Sequence, residues 1–354
     1  MPFGFISFLP SKSPFGCFSV ISTLKHLRFI VLQRTRLHKK SESYLRNFSV
    51  TSLKQRISMG ASQDTASLKN FKIALCQILS SDDKSANIMK ALKAIEEAAK
   101  RGAELVVLPE CFNSPYDNAA FPIYAEEIPE PGAPISEKYK TCFALSEAAR
   151  KNHIYLVGGS LPERAGSNLY NCSPVFSPEG ELLAKHRKIH LFDVDVPGGI
   201  RFFESDTLSP GNRITVVKTE LGNIGVAICY DIRFPELSLA MAREGACILC
   251  LPAAFNMTTG PAHWELLMRS RALDNQMYVA ACGPARNESA SYQAWGHSML
   301  ASPWGDIVVS TEFQEDLLIA EVKKELVEKT RVSIPLSKQR RYDLYELQYS
   351  LKSI

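Results

Sequence analysis

VAICYDIRFPEL, residues 226–237, joins two kinds of structure within a few residues. The apolar run VAI ends on Cys229, then Tyr230, Asp231 and Arg233 follow, and Pro235 opens a helical segment, PELSLAMARE, that stops at Gly245. A buried strand leading into a helix is the repeating unit of an α/β fold. A thiol at that junction sits where the backbone leaves the sheet, which is where such folds assemble their sites.

The same alternation continues on both sides. FKIALCQ precedes SANIMKALKAIEEAAKRG, in which Ile88, Leu92, Ile95 and Ala98/Ala99 recur at helical spacing and Gly102 provides a stop. ELVVLP comes next, then a Pro-rich loop over residues 113–135, the helix SEKYKTCFALSEAARKN and the run IYLVGGS. NCSPVF and ELLAKHRK read as a hairpin turned at Ser177 to Gly180, and ITVVKTELGNIGVAIC as another pair of strands. CILCLPAAF, the helix HWELLMRSRALDNQ and MYVAACG restore the alternation, and HSMLASPWGDIVVS supplies a second hairpin. No Gly/Ser linker interrupts residues 71–320, so residues 68–354 are expected to form one domain. The polar, aromatic tail from Lys323 would be an arm lying on the body or on a neighbour.

With 354 residues, 45% hydrophobic and 22% charged, the chain can bury a large core. Its charge is uneven. Residues 1–60 hold ten Lys/Arg against the single acid Glu42, which is +9; as the whole chain carries +4, the remainder carries −5. The basicity therefore gives the folded body no nucleic-acid surface. The first 67 residues, rich in Ser and without Asp up to residue 60, have the composition of an organelle transit peptide; a disordered basic leader is the alternative. Their length and serine content favour a plastid over a mitochondrion, and initiation at Met59 would give a cytosolic form. FGFISFLP is too short to span a bilayer, and Lys25, His26 and Arg28 interrupt the next apolar run, so no membrane segment is expected.

Nine cysteines without framework spacing point to reduced thiols inside a cell. Cys247 and Cys250 form a C-x-x-C, but within an apparent strand residues three apart face opposite ways, which argues against a redox pair. His186 and His190 are four apart on a strand and its exit, with no H-E-x-x-H and no zinc spacing, so no metal site is expected. Neither a G-x-S-x-G nor a nucleotide-binding glycine loop occurs.

Three apolar runs end on reactive side chains: LVVLPE on Glu110, LLAKHRK on Lys188 and VAIC on Cys229. A carboxylate, an amine and a thiol have the chemistry of amide hydrolysis. The sulfur attacks the carbonyl, the carboxylate moves the proton, and the ammonium holds the oxyanion. The helix opened by Pro235 would make Cys229 more acidic than an ordinary thiol, and the N–H of Tyr230 could be a second oxyanion donor. Singly, each residue has a plainer explanation: a core cysteine, a solvated loop carboxylate, a basic surface strip.

LPECFNSPY, KHRKIHLFDVDVPG and GVAICYDIRFPEL resemble the three signature segments of the nitrilase superfamily of carbon-nitrogen hydrolases, with Glu110, Lys188 and Cys229 at the triad positions. FFESDTLSPG resembles the segment that carries a second carboxylate, here Glu204, near the lysine. The likeness runs in order from Phe71 to RRYDLY near residue 345. It implies a four-layer α-β-β-α sandwich, dimerisation through a helical face, a small-molecule substrate and no cofactor. AAFNMTTGPAHWELLMRSRALDNQMYVA and AWGHSMLASPWGD resemble the members that act on ω-amides of 2-oxo acids. That implies conversion of 2-oxoglutaramate and 2-oxosuccinamate to 2-oxoglutarate or oxaloacetate plus ammonia. Nitrilases and carbamoyl hydrolases of the superfamily commonly carry Trp after the nucleophile; Tyr230 takes that place here.

The remaining assignments have two readings each. Arg233 is the cation nearest Cys229 for a substrate carboxylate, or a surface ion-pair partner. Tyr116 bonds substrate or triad, or anchors its loop. Thr258 and Thr259 line the pocket, or only shape a turn. Glu204 steadies Lys188, or is an ordinary ion-pair partner. The rival activities are nitrile or N-carbamoyl hydrolysis, or binding without catalysis on the same fold.

Overall fold

The computed structural model describes residues 68–349; the leader expected over residues 1–67 lies outside them. Two sheets stack face to face. The first has the order β15-β1-β2-β3-β5-β4, with β6 on β5: β1 is Phe71–Gln77, β2 Leu105–Val107, β3 Tyr155–Val157, β4 Leu161–Ala165, β5 Asn168–Phe176, β6 Leu182–Arg187 and β15 Asp316–Val322. The second has the order β14-β13-β12-β11-β10-β9: β9 is Thr215–Thr219, β10 Gly222–Val226, β11 Ile248–Pro252, β12 Tyr278–Cys282, β13 Met299–Ala301 and β14 Ile307–Ser310. A two-stranded ribbon of β7 (Asp193–Asp195) and β8 (Arg201–Phe203) stands apart.

Strand alternation distributes the apolar residues between layers. Ile73 and Leu75 of β1, Ile224 and Val226 of β10, and Ile248 and Cys250 of β11 meet between the sheets. Their neighbours Ala74 and Cys76 turn outward beneath α1 (Lys84–Lys100) and α2 (Lys140–Asn152). Leu249 and Leu251 do the same beneath α3 (Pro235–Arg243) and α4 (Gly260–Asn275). Strands covered on both faces must be apolar at every position, which is why these runs read as continuous rather than alternating. The expected α-β-β-α sandwich follows. The Asp83 carboxylate caps α1 by accepting from the Ala86 N–H at 2.9 Å, and the chain beyond α1 turns at Gly102 with φ +86°.

Both hairpins pair as expected, β5 with β6 and β13 with β14, and β9 pairs with β10. The Pro-rich loop contains one helical turn, Phe121–Tyr124. The C-x-x-C expectation needs correction. Both Cys247 and Cys250 reach the layer between the sheets, because Cys247 precedes β11 and is not bound by its alternation. The tail forms α5 (Lys324–Ser333) and then lies on the body: Arg243 donates to the Leu347 carbonyl at 3.0 Å and Tyr349 to Glu244 at 2.8 Å. Among the described residues no helix is long and apolar enough to cross a membrane.

Candidate active site

Glu110, Lys188 and Cys229 each lie just beyond a strand: three residues after β2, one after β6 and three after β10. Close backbone packing fixes the first two. Gly159 stands so near the Glu110 loop that a Cβ would come within 2.3 Å of the Pro109 carbonyl, and the neighbouring Ser160 N–H donates to that carbonyl at 3.1 Å. Gly211 lies against the Lys188 segment, where a Cβ would come within 2.1 Å of the Arg187 carbonyl; its N–H donates to the Lys188 carbonyl at 2.7 Å. Cys229 opens a 3-10 turn, Cys229–Arg233, with φ +46°, a left-handed conformation that costs a residue with a Cβ about 1–3 kcal/mol.

The three side chains converge in a buried cluster. Lys188 Nζ donates to Glu110 Oε1 at 3.0 Å and to Glu204 Oε1 at 2.9 Å, and its side chain is fully buried. Asn171 Nδ2 donates to Glu110 Oε1 at 2.8 Å and the Ala254 N–H to Oε2 at 2.7 Å. The Cys229 thiol lies beside the Glu110 carboxyl, close enough to act on its titration. Tyr116 donates to Glu204 Oε1 at 2.7 Å, and the Phe192 N–H to Glu204 Oε2 at 2.7 Å. Glu204 thus meets Lys188 directly, and Tyr116 meets the cluster while its ring packs on Phe121, Phe202 and Tyr292.

One ammonium shared by two carboxylates decides the titration. Burial works against the Lys188 charge, but Glu110 and Glu204 outweigh it and hold the amine protonated well above its ordinary range. Burial, followed by repulsion from Glu204, raises the Glu110 carboxyl even though Lys188 opposes this. Burial and then the Glu110 charge push the Cys229 thiol well above the ordinary value. This overturns the expectation of an acidic thiol. The helix at Pro235 begins only after the 3-10 turn, and the Lys188 ammonium is already engaged by two carboxylates. The resting sulfur is therefore a thiol, placed beside the Glu110 carboxyl.

Sequence reasoning assigned no role to Asp231, and the structure makes it a hub. Its Oδ1 accepts from the N–H groups of Ile189 at 3.2 Å and His190 at 2.9 Å, and its Oδ2 from the Ile228 N–H at 3.1 Å. His186 Nε2 lies 3.0 Å from Oδ2, and His190 Nδ1 lies 2.8 Å from Oδ1. Burial disfavours this charge, but the two imidazoles and the N–H groups hold the carboxyl well below its usual range. Asp231 therefore ties the segment carrying Lys188 to the turn carrying Cys229. The histidines weighed only as metal ligands belong to this tie.

Glu110 lines a cavity of about 640 Å³ together with Cys111, Ser114, Tyr116 and Asp117. Cys229 lines a much smaller chamber of about 10 Å³ with Phe192, Tyr230, Arg233, Asn256 and Thr259, and Ala254 and Tyr292 border both it and the large cavity. Arg233 faces into the chamber, its guanidinium 3.2 Å from His263 Nδ1 and against the rings of Tyr230 and Phe255. Its neighbours are aromatic and imidazole groups, so the surface ion-pair reading fails. The two threonines separate. Thr259 lines the chamber, whereas Thr258 is exposed, with its methyl beside Gly199, and is corrected to a turn residue. Both of their N–H groups donate to Asn256 Oδ1 at 2.9 Å. Tyr230 packs edge-on against Phe192 and Phe234. Asn171, Ala254 and Asn256 escaped the sequence reading because only the tertiary fold brings them to the triad.

The carbon-nitrogen hydrolase family profile matches residues 72–332. A chloroplastic omega-amidase of Arabidopsis thaliana is 48% identical over 347 residues, which span 96% of this chain and 89% of that protein. The omega-amidase NIT2 of Danio rerio is 50% identical over 280 residues, spanning 79% of this chain and 98% of that protein. Among solved structures, Saccharomyces cerevisiae Nit3, a member of branch 10 of the nitrilase superfamily, matches with a TM-score of 0.71 at 46% identity, covering 77% of this chain and 97% of that one.

Proposed function

Because the chain belongs to the carbon-nitrogen hydrolase family and is a hydrolase of amide carbon–nitrogen bonds, we propose that it is an omega-amidase with 2-oxoglutaramate and 2-oxosuccinamate as substrates. The observation that carries this reading is the juxtaposition of a thiol, a carboxylate and an ammonium with a guanidinium in the adjoining chamber. Arg233 binds the substrate carboxylate, with Thr259 beside it, and the far amide reaches Cys229.

Glu110 accepts the thiol proton as sulfur bonds to the amide carbon, so no free thiolate is needed at rest. Lys188 stabilises the tetrahedral oxyanion, and the Tyr230 N–H is the second donor. Glu110 then returns the proton to nitrogen, the carbon–nitrogen bond breaks and ammonia leaves a thioester on Cys229. Water attacks the thioester, Glu110 takes its proton and passes one to sulfur, and the 2-oxo dicarboxylate departs. Glu204 and Tyr116 hold Lys188 throughout.

Intact-mass spectrometry of enzyme quenched during turnover should show an acyl adduct on Cys229, and Cys229→Ala should release no ammonia. Ammonia release by that variant would refute the thioester route. Turnover of nitriles or N-carbamoyl compounds in preference to the ω-amides would move the substrate assignment to another branch of the family.

Two further parts of the reading concern the whole protein. Leu266 and Leu273, seven residues apart on α4, are 64% and 46% exposed, which fits a homodimer formed through this helical face. Sedimentation showing a monomer at micromolar concentration would remove it. The composition of residues 1–67 and the chloroplastic relative support plastid import; a fluorescent fusion of those residues that stays in the cytosol would contradict it.

A further inference from the structure

Resting on the omega-amide reading just given, we propose that Asn256 is a substrate-recognition residue whose side-chain amide donates to the 2-oxo oxygen. Asn256 is 5% exposed and lines the same chamber as Cys229 and Arg233. Its two polar atoms have contrasting surroundings. Oδ1 is fixed from the other side by the N–H groups of Thr258 and Thr259 at 2.9 Å each, with the Thr259 hydroxyl at 3.4 Å. Nδ2 is buried and makes no hydrogen bond of good geometry, although it lies close enough to the Tyr292 hydroxyl to act on that phenol. The turn that orients the amide therefore presents a desolvated donor to the chamber. A buried donor left unmatched costs about 1–3 kcal/mol, which a bound acceptor recovers.

The acceptor follows from what else the chamber offers. The Tyr292 hydroxyl donates to the Ala254 carbonyl, and the Thr259 hydroxyl is turned toward Asn256 itself. Phe192 and Phe255 contribute apolar walls. The full charge of Arg233 suits the carboxylate. The substrate's remaining oxygen at that end is the neutral ketone on the carbon next to the carboxylate, and a neutral amide N–H matches it. A site built to donate to an oxygen discriminates against the analogue that lacks it, because the donor then stays unpaired.

The test compares 2-oxoglutaramate with glutaric acid monoamide, the same chain with a methylene in place of the ketone. The wild type should prefer the keto compound, and Asn256→Ser should lower the keto to methylene ratio of kcat/KM about tenfold, mainly through KM. Serine retains a short acceptor for the turn N–H groups, so the circular dichroism spectrum should be unchanged. Should the serine variant fail to fold, Asn256→Asp keeps the shape and the turn acceptor and should lose the ratio in the same way. Equal losses on both amides, or no loss, would overturn the assignment, as would a wild type that hydrolyses both without preference. A wild type that hydrolyses neither overturns the omega-amide reading itself.

Discussion

Asp231 and Glu110 are both buried carboxylates in the loops that leave strands, and they differ in what surrounds them. Asp231 accepts from three backbone N–H groups and is flanked by two imidazoles, so its charge is matched at every oxygen and held well below the usual range. Glu110 has one N–H, one Asn amide and an ammonium that it shares with Glu204, and its carboxyl is raised. The same functional group becomes a permanent anion that holds loops together in one place and a proton carrier in the other. Burial alone does not separate them; the number and exclusivity of the donors does.

Replacing each acid by its amide is the strongest test of that division. Glu110→Gln keeps the volume and removes the proton acceptor; kcat should fall about a thousandfold, within the range for losing a general base, with little change in Tm. Asp231→Asn should do the reverse. It places an amide N–H group against donors that need an acceptor, which costs about 3 kcal/mol of stability, while kcat falls far less than in Glu110→Gln. Thermal melts and steady-state rates on both variants decide it, and a larger rate loss in Asp231→Asn would erase the distinction.

Acidification should separate the two groups without mutation. The folded Asp231 titrates below an unfolded aspartate at about 3.9, so its contribution to stability is complete above that value and is lost as pH falls through the depressed folded value. Glu110 is shifted the other way. It takes up a proton above the ordinary glutamate value of about 4.3, and protonation disables the base without straining the fold. On lowering the pH from neutral, kcat/KM should therefore fall along a limb above about 4.3 while Tm holds or rises, because protonation of Glu110 favours the fold. Loss of activity and of structure in one step would show that the carboxylates are not held apart.

The same contrast explains what the sequence could show. Glu110, Lys188 and Cys229 were legible because each ends an apolar run, and strand ends are local features. The sandwich was legible because strands covered on both faces leave continuous apolar runs. Asp231 was not, since a polar residue two places after a cysteine says nothing about histidines more than forty positions away. Gly159 and Gly211 matter through carbonyl oxygens they approach across the fold. The thiol was misjudged because a helix start can be read from Pro235, whereas the prior engagement of Lys188 by two carboxylates appears only in three dimensions.

The smallest expected effect sharpens the catalytic side of the contrast. The Tyr116 hydroxyl donates to Glu204 Oε1 at 2.7 Å and lies 3.4 Å from Lys188 Nζ, while its ring is 4.6 Å from that of Tyr292. Tyr116→Phe keeps the ring packing and deletes two hydrogen bonds to charged groups, of which the short one to Glu204 is worth about 1.5–3 kcal/mol and the 3.4 Å one from Lys188 less. Lys188 still has Glu110 at 3.0 Å and Glu204 at 2.9 Å, so most of its positioning survives. If Tyr116 acts by holding Glu204 against Lys188, kcat should drop about tenfold or less with KM unchanged, because the oxyanion donor loosens only where charge develops. If its hydroxyl instead met the substrate, KM would rise while kcat held. The bond to Glu204 favours the first outcome, and kinetics on the single variant separates the two.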